Sequence, residues 1–265
     1  IKKILFYIYT MIKIVILGAG NVGTHLFRVF TEAKEVEVVQ WYNRSLDHIQ
    51  LHRDTLAVTD QLDALMEADV YLLALSDDAI PITAKELTPL KGIVAHTAGS
   101  VSMDVLKHHT DHGVFYPLQT FSKNRAVDFK SIPICIEANS DQNRKTLKKL
   151  AEAIGENIHP INSIQRMGLH TAAVFVNNFT NHLYQVGAQI CEEQEVPFGL
   201  LRPIIAETAA KIESITPKEA QTGPALRNDK TTLQKHLDQL RDPVFKNLYL
   251  TLTESIQKND EYSKL

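Results

Sequence analysis

The sequence predicts an α/β protein in which a parallel β-sheet domain precedes an all-helical domain. Between Ile12 and Ile161, short runs of β-branched residues alternate with helical segments, the pattern of a parallel sheet with crossover helices. After Ile161 the strand-like runs stop, and every remaining segment has helical character. We therefore predict one domain over residues 11–161 and a second over residues 162–265.

The first domain contains six predicted strands. In chain order they are IKIVILG, VEVVQWY, LAVT, VYLLAL, GIVAHT and SIPICIEA. One predicted helix opens at DDAIP, where Pro81 suits a first turn. Another follows Ser140, a good N-cap, and ends at Gly155.

The second domain is predicted to be helical throughout. Residues 163–194 fit one helix, ~48 Å long at ~1.5 Å per residue. Pro197 opens a second helix that reaches about Ile215, and the loop TPKEAQTGPALRND follows. Helices from about Asp229 and Asp242 complete the domain, because Asp242-Pro243 suits the N-cap and first helical position.

Composition indicates an ordinary globular protein. Of 265 residues, 44% are hydrophobic and 22% are charged, which favours neither disorder nor a fibrous structure. The formal charge of −3 and the absence of a Lys/Arg-dense run argue against nucleic acid as a partner. No run approaches the ~18 apolar residues of a membrane span, so a membrane partner is not expected.

The cysteines and the N-terminal segment bear on location. Cys135 and Cys191 lie far apart without metal-type spacing, which fits a reducing cytoplasm. The opening IKKILFYIYTM begins like a signal sequence but lacks a small-residue cleavage site. We interpret Met11 as a natural start and residues 1–10 as an extension or a disordered tail.

A glycine motif indicates a dinucleotide site. Gly18-x-Gly20-x-x-Gly23 lies between a predicted strand and a helix that begins near Asn21, the context of a Rossmann-type fingerprint. Gly18 permits the turn, Gly20 lets a pyrophosphate approach, and Gly23 allows close helix packing. We expect the helix start, including Asn21 and Val22, to bind the phosphates.

The end of the second strand favours NADP over NAD. An NAD enzyme places Asp or Glu there to bind the ribose hydroxyls, whereas this chain reads WYNRS. Asn43, Arg44 and Ser45 could instead donate hydrogen bonds to a 2′-phosphate. A solvated surface role for Arg44 remains the alternative.

Two further strand ends carry polar residues that would face the cofactor. We predict that Ser76, after the fourth strand, and Thr97, after the fifth, bind the nicotinamide half. For Asp77 and Asp78, helix capping is at least as good an interpretation. His96 is equally a site residue or a core residue.

A polar stripe marks the predicted long helix. On an ideal helix, His170, Asn177 and Asn181 lie within about 20° of one direction. His170 is our candidate proton donor, Asn177 the residue that orients it or the substrate, and Asn181 a substrate contact. Alternatively, these groups satisfy one another within a helix bundle or a dimer seam.

Three other segments supply candidate substrate contacts. Lys211 could bind a carboxylate or stabilise an oxyanion, although an ion pair with Glu207 at i, i+4 is an equal alternative. Arg227 could hold a carboxylate bidentately, or pack against Asp229. The remaining substrate-contact candidates are Gln119, Thr120 and Ser122 in YPLQTFS and Thr222 in QTGPALRND.

These motifs together resemble a known family. GAGNVG, NRS, FYPLQTFS, HTAAVFVNNFTNHLY, IIAETAAK and QTGPALRND are similar to a bacterial family of NADP oxidoreductases with a Rossmann-like N-terminal domain and a helical C-terminal domain of poorly assigned function. The resemblance covers essentially the whole chain from Met11. More distantly, the layout resembles pyrroline-5-carboxylate reductase, ketopantoate reductase and the β-hydroxyacid dehydrogenases.

The resemblance implies hydride transfer from NADPH to a small C=O or C=N bond, a site between domains, and homodimers formed by the helical domains. One departure concerns the β-hydroxyacid dehydrogenases, which carry Lys and, four residues later, Asn on the interdomain helix. Here His170 stands near that place, and position 174 is Val. Catalytic roles therefore do not transfer directly.

We expect a cytoplasmic NADP-dependent reductase of a small oxo- or imino-acid, with a ketopantoate-like 2-oxoacid as first candidate and a pyrroline-type imine as second. The alternative is a non-catalytic NADP-binding protein that regulates a dimer or a partner. A metal-dependent function ranks third, because HHTDH at 108–112 is interpreted as a solvated helix end rather than a zinc site.

Overall fold

The structure, a computed structural model, describes residues 11–262, with side chains up to Lys258. The interpretation of residues 1–10 therefore lies outside the described residues. The chain divides into two compact units, and the division falls between Asn177 and Asn178.

An eight-stranded sheet forms the centre of the first unit. Its strand order is β3-β2-β1-β4-β5-β6-β7-β8, and all neighbours are parallel except β6 and β7. The predicted Rossmann-type α/β fold is thereby confirmed. The strands are β1 (Ile12–Leu17), β2 (Val36–Tyr42), β3 (Ala57–Thr59), β4 (Val70–Leu73), β5 (Ile93–His96), β6 (His112–Pro117), β7 (Ile134–Ala138) and β8 (Ile158–Pro160).

The six predicted strands are present, but β6 and β8 were not predicted. All six residues of β6, HGVFYP, are buried, as in β4 and β5, but its apolar run is only three residues long and follows His112 and Gly113. Gly113 and Pro117 weaken its strand signal further. β8 is only three residues long.

Helices cover both faces of the sheet. These are α1 (Asn21–Glu32), α2 (Ala79–Glu86) and α3 (Asp141–Glu152). One face packs Phe30 of α1 and Leu147 of α3 against the sheet, and the other packs Ile80 and Ala84 of α2. As predicted, the Ser140 side chain caps α3, accepting from the Asn143 amide at 3.1 Å.

The predicted long helix has a π-helical segment in its middle. It consists of α4 (Ser163–Ala173), a π segment (Val174–Phe179) and α5 (Thr180–Glu193). Since a π-helix turns less per residue than an α-helix, the stripe calculated for His170, Asn177 and Asn181 on a regular helix was wrong. Such segments occur frequently at functional sites.

The predicted domain boundary after Ile161 stays a prediction. It coincides with the end of the last strand, whereas the first compact unit continues through α4. Helix α4 belongs to the first unit because its Arg166, which is 1% exposed, forms an ion pair with Glu137 of β7.

The second unit consists of helices, with two differences from prediction. The helix expected from Pro197 to Ile215 is a 3-10 turn over Phe198–Leu201 followed by α6 (Arg202–Lys211). The predicted loop contains the short α7 (Pro217–Ala220), which a Thr216–Glu219 capping box stabilises. The final helices, α8 (Lys230–Gln239) and α9 (Pro243–Tyr262), begin where predicted.

The histidines of HHTDH are not a solvated helix end, and that interpretation was wrong. His109 and His112 are 6% and 9% exposed, and His112 opens β6. A ring nitrogen of His108 and one of His109 contact the Ala84 carbonyl at 2.6 and 3.0 Å. Burial beneath the end of α2 lowers the pKa of His109.

The described residues contain neither a metal-binding cluster nor a membrane-spanning helix. No group of His, Cys, Asp and Glu residues within that part of the chain has an arrangement that could hold a metal ion. No helix there is long and apolar enough to cross a membrane.

Candidate active site

The glycine-rich turn after β1 depends on close backbone contacts. Gly18 has φ +114°, and a Cβ there would lie 2.2 Å from the Ala74 carbonyl oxygen. A Cβ at Gly23 would lie 2.2 Å from the Gly18 oxygen. The Trp41 indole also donates to that oxygen, at 2.9 Å. Both glycines are therefore required by the packing of the turn.

Gly20 has a different environment, because within residues 11–258 no atom apart from its immediate chain neighbours lies within 4 Å of a Cβ at this position. It is the N-cap of α1, and no side chain of the described residues caps the helix there. The first amides of α1, including those of Asn21 and Val22, thus have the orientation and partial positive charge that suit a phosphate. The turn fits a dinucleotide pyrophosphate.

Asn43, after β2, braces this turn. Its Oδ1 accepts from the Ala19 amide at 3.1 Å, and its Nδ2 donates to the Ser45 carbonyl at 2.7 Å. The Ser45 hydroxyl donates to Asp47 at 2.9 Å. Arg44 is exposed between them. Since Asn43 and Ser45 use their side chains locally, Arg44 is the stronger candidate for a 2′-phosphate contact.

The loops after β4 and β5 meet at the same edge of the sheet. The hydroxyl of Ser100 is hydrogen-bonded to the carboxylate of Asp77, which joins the two loops. Asp78 occupies the N-cap position of α2 but makes no side-chain cap, and Ser76 is exposed. The Thr97 amide donates to the Leu73 carbonyl at 3.2 Å.

His96, at the end of β5, is fully buried. Its Nδ1 accepts from the Ala98 amide at 3.2 Å, while its Nε2 has no hydrogen-bond partner among the described residues. Burial lowers the pKa of His96 to about 3, and the positive charge of Arg166 acts in the same direction. The imidazole is therefore neutral and serves as a core residue.

Helix α4 is fastened to β7 by a buried polar network. The guanidinium of Arg166 pairs with the Glu137 carboxylate and donates to the Val101 carbonyl at 2.5 Å. Glu137 also accepts from the amide and hydroxyl of Ser163 at 2.9 and 2.8 Å. Ser163 in turn accepts from the Met103 amide at 3.1 Å. This network joins α4 to the loop after β5.

One turn further along α4, the half-buried His170 contacts Tyr116 of β6. Its Nδ1 lies 3.0 Å from the Tyr116 hydroxyl, and the rings meet edge to face at 6.0 Å. A Cβ on Gly99 would lie 2.5 Å from His170 Nδ1. Burial raises the pKa of Tyr116 to about 12, so its hydroxyl stays protonated.

Sequence reasoning selected His170 but missed Tyr116 and Gly99. Tyr116 stands two letters before Leu118 in the quoted FYPLQTFS, yet β6 was not predicted as a strand. With that strand and its direction known, Tyr116 would have been placed at the cofactor edge of the sheet.

The loop between β6 and β7 forms a small cavity at the same edge. The cavity has a volume of about 260 Å³ and is lined by Gln119, Thr120 and Ser122 together with Arg125, Ala126, Val127, Asp128 and Ser131. Its loop contacts α1, because a ring nitrogen of His25 lies 3.0 Å from the Ser122 carbonyl. The three predicted substrate contacts of this loop therefore lie together.

The remaining candidates lie at or beyond the division between the units. Asn177 is an exposed residue of the π segment, and Asn181 is exposed on α5. Lys211 Nζ lies 3.8 Å from Glu207 Oε1, so the alternative that the two residues form an ion pair is present in the structure. Thr222 and Arg227 are exposed. Their roles stay predictions.

The fold and the glycine-rich turn define a Rossmann-type dinucleotide-binding protein. Residues 13–99 match the family described as NADP oxidoreductase, coenzyme F420-dependent, and residues 132–256 match a domain of unknown function (DUF2520). A solved structure from Bacteroides fragilis, described as a "putative NADP oxidoreductase", is 37% identical with a TM-score of 0.84 over 94% of this chain and 99% of that chain. The chain belongs to this family of NADP oxidoreductases, so it is an enzyme with NADP as cofactor.

More distant solved structures share the fold. An imine reductase from Myxococcus stipitatus in complex with NADP+ is 14% identical, with a TM-score of 0.66 over 95% of this chain and 93% of that chain. A 1-pyrroline-5-carboxylate reductase from Streptococcus pyogenes is 12% identical, with a TM-score of 0.61 over 95% and 96%. A comparison with curated proteins finds no match.

Proposed function

We propose that this enzyme reduces the C=O or C=N bond of a small oxo- or imino-acid. The observation that carries the proposal is the position of His170, which contacts β6 near the edge where the glycine-rich turn lies. A ketopantoate-like 2-oxoacid is the first candidate substrate. A cyclic pyrroline-type imine is the second, because structural neighbours that share the fold include imine and pyrroline-5-carboxylate reductases.

The first unit would bind the cofactor. The amides at the start of α1 would hold the pyrophosphate, Arg44 the 2′-phosphate, and the loops carrying Ser76 and Thr97 the nicotinamide half. When bound, NADPH supplies the hydride that adds to the carbon of the substrate double bond. The fit rests on the bare helix start at Gly20 and on the open space around it.

His170 would donate the proton that completes the reduction at oxygen or nitrogen, since imidazole transfers protons near neutral pH. Asn177 would orient the substrate or the imidazole. Gln119, Thr120 and Ser122 would line the substrate site, with Asn181 and Thr222 as further contacts. Lys211 or Arg227 would hold the substrate carboxylate.

The experiment follows NADPH absorbance with a panel of 2-oxoacids, cyclic imino-acids and an uncharged cyclic imine. We expect turnover of at least one 2-oxoacid or imino-acid. The reduction changes only the C=O or C=N bond, so the product keeps the carboxylate of the substrate. Turnover of the uncharged imine alone would contradict the assignment of an acid substrate, and no turnover across the panel would contradict the substrate class.

The carboxylate anchor is tested with Lys211→Met and Arg227→Met, and Lys218→Met serves as a control on the short exposed α7. The variant that removes the carboxylate-binding residue, Lys211→Met or Arg227→Met, should have a higher KM for the acid substrates. Its KM for the uncharged imine should stay unchanged. Equal effects on charged and uncharged substrates would show that neither residue binds the carboxylate.

We also propose a homodimer that forms through the second unit. Leu200, Ile204 and Val244 are 69%, 63% and 64% exposed. Monomeric proteins rarely expose several large apolar side chains of this kind to solvent. Light scattering should give twice the chain mass of 29.8 kDa, and Ile204→Asp should shift the mass towards one chain. A monomer for the wild type would remove this proposal. Cytoplasmic location remains a prediction from cysteine usage.

A further inference from the structure

Helix α4 contacts the sheet through Arg166 and through His170, and the distance between these two residues along the helix matches the distance between their partners in the sheet. Arg166 and His170 are four residues apart on the helix, or ~6 Å at ~1.5 Å per residue. Their partners are two residues apart on the strands, because Glu137 pairs with Val114 and Tyr116 follows two residues later. Two strand residues span ~6.6 Å.

This match places His170 by geometry. Val114 and Tyr116 project from the same face of β6, and their neighbours across the antiparallel pair, Glu137 and Cys135, project from that face too. With Arg166 fixed on Glu137, the next turn of α4 brings His170 over Tyr116. The direction from Val114 to Tyr116 leads towards the carboxyl end of β6, the edge that carries the glycine-rich turn.

The hydroxyl of Tyr116 determines which nitrogen of His170 is available. Within residues 11–258, His170 Nδ1 is the only hydrogen-bond partner of that hydroxyl, at 3.0 Å. A protonated phenol with this one acceptor donates its proton to Nδ1. A neutral imidazole that accepts at Nδ1 carries its own proton on Nε2. To act as the acid, the ring takes up a second proton at Nδ1, which then donates to the Tyr116 oxygen, and the imidazolium transfers its Nε2 proton to the product and is left neutral.

Gly99 packs against the hydrogen bond between Tyr116 and His170. A Cβ at this residue would lie 2.5 Å from His170 Nδ1 and 2.8 Å from the Tyr116 ring carbon that bears the hydroxyl. The loop after β5 thus lies against the hydrogen bond itself. Only glycine leaves space for it at this distance.

We propose that Tyr116 is a positioning residue that acts through His170: its hydroxyl, with Gly99 packed against it, orients the imidazole so that Nε2 is the nitrogen presented to the substrate. This inference deepens the proposed function and rests on it for the role of Nε2. The hydrogen bond itself does not depend on that role.

The charged and titratable groups around Tyr116 come from several elements. Arg166 of α4 lowers the pKa of Tyr116, whereas Cys135 of β7 and Asp77 of the loop after β4 raise it. Burial is the largest influence. Removing the Tyr116 hydroxyl leaves all three of these groups in place, so Tyr116→Phe tests the hydrogen bond alone.

The test is a double-mutant cycle of Tyr116→Phe and His170→Ala, with kcat, KM and the NADPH dissociation constant measured for each variant. Tyr116→Phe should lower kcat about tenfold in the wild type, ~1.4 kcal/mol, and leave NADPH affinity unchanged. In the His170→Ala background the same change should have no further effect. An equal loss in both backgrounds would overturn the proposal, because a merely structural role costs the same in each.

A second measurement needs no substrate, so it separates failure of this inference from failure of the proposed function. ¹⁵N NMR of the ring nitrogens should show His170 Nδ1 as a hydrogen-bonded acceptor in the wild type, and its resonance should shift in Tyr116→Phe. Tyr71→Phe is the matched control, since its hydroxyl donates to Met66 at 2.9 Å near the opposite edge of the sheet. An Nδ1 resonance unchanged by Tyr116→Phe would overturn the proposal even if the enzyme is active.

Gly99→Ala provides an independent variant that keeps both polar groups. It should reproduce the Nδ1 shift and the kcat loss of Tyr116→Phe, because the added methyl group displaces the imidazole. Wild-type kcat and an unshifted Nδ1 in a folded Gly99→Ala variant would show that the contact does not orient His170.

Discussion

The two units of this chain differ in where their apolar side chains lie. In the sheet unit, strands and helices bury apolar clusters on both faces of the sheet, and the cluster on the α1 and α3 side includes residues from Ile14 to Ile154. Of the second unit's described residues, Ala225 alone belongs to the buried hydrophobic set, while Leu200 and Ile204 are more than 60% exposed. The sheet unit therefore buries its large apolar side chains within itself, whereas the described part of the helical unit leaves many of them exposed.

The largest expected difference between the units concerns two ion pairs. Glu137→Gln removes the charge opposite the buried Arg166 and should destabilise the protein by about 3 kcal/mol or more, because an unpaired charge is left in the core. The matched variant Glu207→Gln breaks an exposed pair with Lys211 and should cost about 1 kcal/mol or less.

Urea unfolding measures both. Similar losses for Glu137→Gln and Glu207→Gln would contradict the view that α4 is held by its buried network.

Two glycines with positive φ, Gly18 and Gly223, allow the cost of backbone strain to be measured separately from the cost of a steric clash. Gly18→Ala and Gly223→Ala both force a side chain into a left-handed conformation, at a cost of about 1–3 kcal/mol. Only Gly18→Ala adds a clash with the Ala74 carbonyl, since no atom of the part of the chain that the structure describes, apart from immediate chain neighbours, lies within 4 Å of a Cβ at Gly223. Gly18→Ala should therefore lower the melting temperature more, and should weaken NADPH binding.

Thermal unfolding and NADPH titration of the two variants check this difference. If Gly223→Ala were equally destabilising, the close contact at Gly18 would not be the cause.

The buried His96 predicts how stability depends on pH. Its folded pKa of about 3 lies below the usual value near 6.5, so the unfolded chain binds the proton more tightly. The contribution of His96 is complete above pH ~6.5 and is lost as pH falls towards 3, at a limiting slope of ~1.4 kcal/mol per pH unit. Burial of His109 acts in the same direction.

The measurement is the unfolding free energy of wild type and His96→Gln between pH 7 and pH 4. The wild type should lose more stability than the variant over this range. Parallel curves would show that His96 does not remain neutral in the folded protein.

The sequence predicted the sheet unit better than the helical one, for physical reasons. The glycine fingerprint and the strand ends are local features, and the sheet brings them together through a known topology. β6 escaped prediction because Gly113 and Pro117 interrupt the run of β-forming residues in HGVFYP, and Tyr116 was missed with it.

In the helix, the structure places His170 against Tyr116, and its catalytic role stays a prediction. The stripe that joined His170 to Asn177 and Asn181 assumed a regular α-helix. The π segment over Val174–Phe179 depends on packing that the periodicity does not show. In the second unit, Lys211 and Arg227 are exposed, and the roles proposed for them stay predictions.

The most direct test of the central claim compares wild type with His170→Ala on the best substrate of the panel, with NADPH affinity measured in parallel. The account predicts that kcat falls by about 10²–10⁴-fold while the NADPH dissociation constant stays within about twofold. Turnover that is unchanged in a folded His170→Ala variant would contradict the account, because the proton would then come from another group.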